Sequence, residues 1–326
     1  MQTMSRLLTF AFIIISITYS SCEFQKQSST GKSLEIILVQ GENCNDVDFQ
    51  LFKQYLMVPQ TPILETEIYG EKKNYFKIIS IKEGDFNSIF RTHKNIIFVY
   101  SSTNFLLNFK QDVWAENQNI YTCTFNKNDI SKSSFENFVT DLGLTIKQNE
   151  LNKRSKTFSS LTPKEIKNHL QKNYNLSISM PPRFFIVDSL NDCLYLRGET
   201  KKSSQRILIS DFYLEPTVRN ILLEQNKIAK KNISSHVKGS YLKIEDRASL
   251  YIDTISTNDN LSIIIKGLWK MESDFMGGGF MTLLIKNSSS IPSKLLTFYL
   301  FAPGENKANY LLDLEAILRS VEYFNN

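Results

Sequence analysis

Glu272 and Asp274 stand two residues apart at the end of an apolar run. At that spacing two carboxyls share one face of a strand and could divide acid and base work between them. A solvated strand end closed by turn-forming acids is the favoured reading. Met276-Gly277-Gly278-Gly279-Phe280 follows directly. Three successive glycines permit positive φ and leave their amides unshielded, as an anion cradle requires, although a tight hairpin turn needs the same residues. The three histidines, His93, His169 and His236, have no carboxylate or second histidine at ligand spacing, so ordinary surface or capping roles are expected. Serine-nucleophile, zinc-protease and phosphate-loop motifs are absent. No catalytic residue, metal or cofactor is therefore assigned.

The most specific chemistry belongs to Cys22. Arg6, an apolar stretch from Leu7 to Ile17 and the small residues Ser20 and Ser21 precede it, in the order of a signal peptide over residues 1–21. About 20 apolar residues are needed to cross a bilayer as a helix, so export followed by cleavage is favoured over a permanent span. A cysteine in this position resembles a bacterial lipobox, whose thiol is diacylated and whose new α-amine is then acylated. Several acyl chains exceed the two-signal threshold for stable anchoring. Residues 22–32 then read as a lipidated, flexible tether with a reach of roughly 17 Å.

A hydrophobic content of 42% and a charged content of 22% suit a globular protein with a sizeable core, and 326 residues suggest two units. The formal charge of +5 is spread along the chain, which argues against nucleic-acid binding. Cys44, Cys123 and Cys193 are odd in number and far apart, so three buried thiols are favoured over one bridge and one free thiol.

The pattern from residue 33 predicts a strand over 34–39, a helix carrying Val47, Leu51, Tyr55 and Leu56, strands over 75–81, 95–100 and 119–125, and a helix over 134–144. The polar stretch 147–160 reads as a linker, followed by a capping box at Thr162-Pro163-Lys164-Glu165 with Ile166 and Leu170 on the apolar face. Strands are expected over 184–187, 193–197 and 206–210, then a helix with Val218, Ile221, Leu222 and Ile228. Further strands over 261–271, 280–286 and 295–301 precede a last helix with Leu311, Leu314, Leu318 and Val321. The expected class is α+β. Two units, 33–150 and 160–326, would each be a mainly antiparallel sheet with helices on one face.

Pro59-Gln60-Thr61-Pro62, the 112–118 stretch, Gly267-Leu268-Trp269-Lys270-Met271 with the glycine run, and Ala302-Pro303-Gly304 followed by Leu314-Glu315-Ala316-Ile317-Leu318 together resemble one family. It is the lipoprotein family of Bacteroidetes bacteria known as domain of unknown function 4837, and the similarity is expected to span nearly the whole mature chain. The resemblance implies an envelope lipoprotein with no established activity. The second unit also looks like the photosystem-associated and Ran-binding α/β sandwiches, an analogy of fold alone.

If the last three strands form a meander, the first and third end at one edge. Trp269, Met276, Gly277, Gly278, Gly279, Phe280, Pro303 and Gly304 would then form a binding edge. The final helix, starting near Lys307, would open its amides towards it and favour an anionic group. The expected function is a non-catalytic binding module for an envelope protein or a cell-wall component, held by the lipid at Cys22 on the periplasmic face of the outer membrane. A metal-free hydrolase using Glu272 and Asp274, or a carrier of a small hydrophobic ligand, is the alternative. Cys22→Ser is expected to abolish membrane association, leaving a soluble or uncleaved protein. A serine variant that still fractionates as a mature, detergent-requiring protein would refute the anchor.

Overall fold

The computed structural model describes residues 26–57, 74–103, 105–126, 131–190, 193–257, 260–286 and 292–324. Cys22 with its signal segment, and the 59–62 motif, lie outside them. The chain divides into two compact units. One joins the described residues up to Asn45 with Ile79–Asn126; the other joins Asp46–Ile78 with Lys127–Asn326.

The first unit holds a five-stranded sheet in the order β2-β1-β3-β5-β4. Its strands are β1 (Glu35–Gln40), β2 (Lys77–Lys82), β3 (Asn95–Ser101), β4 (Leu106–Gln111) and β5 (Asn119–Phe125). β1–β3 and β3–β5 pair in parallel, and β4–β5 is an antiparallel hairpin. Apolar runs such as Ile36-Ile37-Leu38-Val39, buried throughout, belong to the inner strands. The single helical turn α2 (Ser88–Arg91) is capped by Asn87, whose side chain accepts from the Ile89 amide at 3.0 Å.

The expected tether is partly structured. The amides of Ser29 and Thr30 donate to the Glu116 and Thr92 carbonyls at 3.0 and 2.8 Å, and the Glu116 amide donates to Gln27 at 2.9 Å. An extended segment satisfies its backbone against a loop in this way, so residues 27–31 are not free chain. Gly31, at φ +86°, lies directly on His93; a Cβ there would meet the imidazole at 2.1 Å. His93 is consequently buried, with Nε2 3.1 Å from Glu35 Oε1 and Nδ1 3.2 Å from the Asn95 carbonyl. A surface or capping role does not hold for that histidine.

The second unit is built on an eight-stranded sheet, antiparallel at the pairings described here. Its strands are β7 (Phe184–Leu190), β8 (Cys193–Glu199), β9 (Ser204–Phe212), β10 (Tyr241–Ile244), β11 (Tyr251–Thr257), β12 (Asn260–Glu272), β13 (Gly277–Lys286) and β14 (Ser293–Phe301). A short pair, β6 (Leu176–Ser177) with β15 (Glu322–Tyr323), stands apart. The α+β class holds and strand pairing is mainly antiparallel overall, but the expectation of an antiparallel sheet in each unit fails for the first, where two of the described pairings are parallel. Helices α1 (Asp46–Leu56), α3 (Lys132–Leu161), α4 (Lys164–Tyr174), α5 (Val218–Asn232) and α6 (Ala308–Arg319) complete the unit.

Both faces of the larger sheet are covered, not one. Thr282, opposite Ile265, bonds Gln225 of α5 at 2.7 Å, while the neighbouring Lys266 bonds Glu315 of α6. Successive residues of a strand point to opposite faces, so α5 and α6 lie on different sides. Burial on both sides explains why β13 and β14 read as apolar runs without alternation.

The stretch 147–160 is no linker; it is the second half of the 30-residue α3. Its buried stripe begins with Phe135, Val139, Leu142 and Ile146 and continues through Lys147 and Glu150. Periodicity disappears from the sequence there because the buried face carries ions. Lys147 Nζ is 2.8 Å, Lys266 Nζ 3.3 Å and Arg319 Nη2 3.0 Å from the carboxylate of Glu315, which is 3% exposed. The expected capping box does not form either. Thr162 donates its hydroxyl back to the Phe158 carbonyl at 2.8 Å and accepts from the Met180 amide at 3.0 Å. Val47 lies on the exposed side of α1, whose buried face is Phe49, Phe52, Tyr55 and Leu56. Cys44, Cys123 and Cys193 are buried and form no disulfide among the described residues, and burial pushes the Cys123 thiol well above its usual range.

Burial alone would raise the Glu315 carboxyl, but Lys147, Lys266 and Arg319 outweigh it and hold it at about 2, below the ordinary 4.5. A depressed carboxyl stabilises the fold above its unfolded pKa and loses that contribution as pH falls through the folded one. Glu315→Gln is expected to cost about 3–5 kcal/mol at neutral pH, because two buried lysines lose their counter-charge. In denaturant titrations the gap from wild type should close between roughly pH 4 and pH 2. A gap that stays constant over that range would show that the carboxylate charge is not what stabilises the cluster.

Candidate functional site

The β8–β9 hairpin turns at Thr200-Lys201-Lys202-Ser203. Thr200 Oγ1 accepts from the Lys202 and Ser203 amides at 3.2 and 2.9 Å, and the Thr200 amide donates to the Ser203 carbonyl at 2.9 Å. This turn sets the register: Glu199 faces Ser204, and Arg197 faces Arg206. Two like charges directly opposite each other on one sheet face destabilise a hairpin unless something neutralises them. Arg197 is held by Glu199, whose Oε1 also accepts from Ser204 Oγ at 2.8 Å. Arg206 has no such carboxylate in the described structure, and its Nε is buried without a hydrogen-bond partner.

Both arginines line an open cleft of about 440 Å³. Lys201, Lys202 and the Thr200–Ser204 hydroxyls add polar wall; Met276, Phe301 and Pro303 form the apolar side. Lys202 Nζ bonds Glu305 Oε1 at 2.8 Å, which raises the lysine pKa. Four cations against Glu199 and Glu305 leave the lining net positive. Guanidinium forks and clustered hydroxyls at that charge suit a carboxylate or a phosphate.

Of the residues expected at a binding edge, Met276 and Pro303 line this cleft. Gly278 and the turn bearing Gly304 lie at the same end of the sheet, since a Cβ on Gly278 would sit 1.9 Å from the Leu300 carbonyl oxygen. The glycine run is not the turn, however. Gly277, Gly278 and Gly279 pair with Lys270, Trp269 and Leu268 inside β13, and the turn is Ser273–Phe275, with Ser273 at φ +62°. Among the residues of the expected binding edge, positive φ occurs only at Gly304 (φ +71°). What requires glycine is space: the Trp269 indole crosses Gly278 to donate from Nε1 to the Leu300 carbonyl at 3.1 Å. Trp269 and Phe280 are buried, 2% and 0% exposed, and support the wall from behind, with Trp269 6.3 Å from the Phe301 ring. The amides opening α6 do not all remain free, because Asn306 Oδ1 accepts from the Ala308 amide at 2.9 Å.

The carboxylate pair does not form. Glu272 bonds Lys243 at 2.6 Å, which lowers its pKa, and Asp274 falls beyond the strand, where its Oδ1 accepts from the Phe275 amide at 2.7 Å. The left-handed Ser273 between them breaks the alternation that would have aligned them. Phe275, at the tip of this hairpin beside Met276, is fully exposed. Arg197, Arg206, Lys201, Lys202 and Phe275 were not singled out from the sequence. The signal available was the Thr200–Ser203 turn, whose two-residue loop forces Arg197 opposite Arg206.

Residues 163–320 match the family model described as domain of unknown function DUF4837. The second unit's C-terminal part belongs to that family. The DUF4837 match holds the cleft and every residue of the expected edge, but it does not span the mature chain as the resemblance suggested. Residues 63–159, which include the 112–118 stretch, match a different domain of unknown function, DUF8532. No curated protein matches. Among solved structures the chain is similar to a point mutant of the protein Mog1 and to the Saccharomyces cerevisiae Ran-binding protein Mog1p. Each is 8% identical and covers 47% of this chain and 92% of the other, with TM-scores of 0.30 and 0.29.

The approach at Gly278 makes a sharp expectation. Gly278→Ala should destabilise by about 1–3 kcal/mol or more, because the added methyl meets a backbone oxygen that cannot rotate away. Gly84→Ala, where nothing lies within 4 Å, should stay within about 0.5 kcal/mol of wild type. Equal denaturation midpoints for the two variants would refute this account of the glycine run.

Proposed function

We propose that this chain is a lipid-anchored envelope protein, tethered through Cys22 at the periplasmic face of the outer membrane, and that its DUF4837 part is a non-catalytic module binding an acidic segment of an envelope protein. The observation that carries the reading is Arg197 opposite Arg206 in a net-positive cleft, with a buried, unpartnered guanidinium N–H. Folded alone, the protein bears this repulsion and this desolvated donor; a bound carboxylate relieves both. Phe275, exposed on the neighbouring hairpin, supplies the kind of apolar anchor on which protein partners concentrate binding energy. The hydrolase alternative loses its motivation with Glu272 tied to Lys243, and a cleft walled by charged and hydroxyl groups does not favour a carrier of hydrophobic ligands.

Arg206→Gln separates binding from folding. Recovery of the partner from crosslinked envelopes should fall about tenfold or more, the loss of one charge-assisted contact, while thermal stability stays level or rises because the opposed charges are gone. Undiminished recovery with a folded variant would refute the cleft as the binding site. Recovery of cell-wall polymer in place of protein would refute the partner class.

A further inference from the structure

Strand β4 forms the outer edge of the five-stranded sheet, and all six of its residues are exposed. With its flanks it presents Phe105, Leu106, Leu107, Phe109, Val113 and Trp114, each between 36% and 49% exposed. Soluble proteins shield or charge such an edge, since a long apolar one invites pairing or aggregation. Among the described strands none pairs with its outer side, and hydrogen bonds fix the loop that follows it. Asp112 Oδ1 accepts from the Gln118 amide and Gln118 Oε1 from the Trp114 amide, both at 3.0 Å, while Trp114 packs 5.8 Å from the Phe86 ring.

The same loop receives the chain's first described residues. Lys26 Nζ bonds the Asp112 carbonyl, and Gln27 and Ser29 bond Glu116. Cys22 is four residues before Lys26, at most about 14 Å of extended chain. We infer that the Phe105–Trp114 strip rests on the lipid surface that holds the anchor, an inference that builds on the proposed lipidation of Cys22. Because Lys26 is held at the loop that ends the strip, a bilayer engaged by an anchor within that reach would meet the strip as well. Trp and Phe favour the headgroup boundary, where the unpaired edge of β4 stays hydrated, whereas the hydrocarbon core would leave its amides unsatisfied. Lys110, exposed within the strip, faces anionic headgroups.

The chain has two tryptophans, and Trp269 is buried, so bilayer-borne quenchers report on Trp114. Full-length protein purified from membranes would be reconstituted into phosphatidylethanolamine–phosphatidylglycerol vesicles with brominated acyl chains. Emission should drop about twofold, as for a ring seated at the headgroup–acyl boundary. Trp114→Phe should abolish the drop, and Phe109→Glu with Leu107→Glu should reduce it while the protein still floats with the vesicles. Vesicle-bound wild type with unquenched Trp114 would overturn the inference and leave the anchor standing. Quenching retained in a vesicle-bound Cys22→Ser protein would support the strip and remove the anchor. Protein that does not associate with vesicles at all would overturn both.

Discussion

A single buried carboxylate gathers the second unit. Glu315 on α6 takes Lys147 from α3, Lys266 from β12 and Arg319 from its own helix, so one charge joins three elements at a single point. Three cations around one desolvated anion leave positive charge over, and Glu150, 1% exposed on the same face of α3, stands nearby. Beside this cluster, Asp313 is gripped by Arg154 of α3 and by Arg183 at the start of the sheet. Apolar side chains of similar volume could fill the space at no loss of stability, so such a cluster acts through orientation: it fixes which face of α3 meets which turn of α6.

That orientation has consequences at the other side of the sheet. Gln205 donates to the Tyr310 carbonyl of α6 at 3.0 Å and accepts from Arg183 at 2.6 Å, which ties β9 to the helix layer through its inward-facing residue. Arg206, the next residue, must then face the opposite side, where the cleft is. The Trp269 indole, hydrogen-bonded across Gly278 to Leu300, stiffens the strand ends that carry Met276 and Phe301 to the same place. The cationic pair is thus placed by the register that its hairpin turn sets, while Gln205 fixes the face it takes.

The first unit solves a different problem. Its segment 27–31 is drawn onto the 92–116 region by backbone bonds, and Gly31 makes room for His93 beneath. The chain is thereby bound to the unit early in its described path, so residues 27–31 do not swing as a free tether.

The amino-acid sequence by itself determined the α+β class, most element positions and the DUF4837 family, because these rest on local periodicity and on short motifs. Strand 119–125 and the apolar faces of α4 and α6 were legible for that reason. Tertiary structure decided what local pattern cannot encode. The second half of α3 looked like a linker because its buried face includes Lys147 and Glu150, and Lys147 is buried at tolerable cost only beside Glu315, over 160 residues away. The glycine run looked like a turn because glycine permits turns, whereas its cause is a carbonyl and an indole brought in by β14 and β12. The cleft was invisible because Arg197 and Arg206 become a pair only through the register of their hairpin, and Met276 and Pro303 join them only once the sheet is assembled.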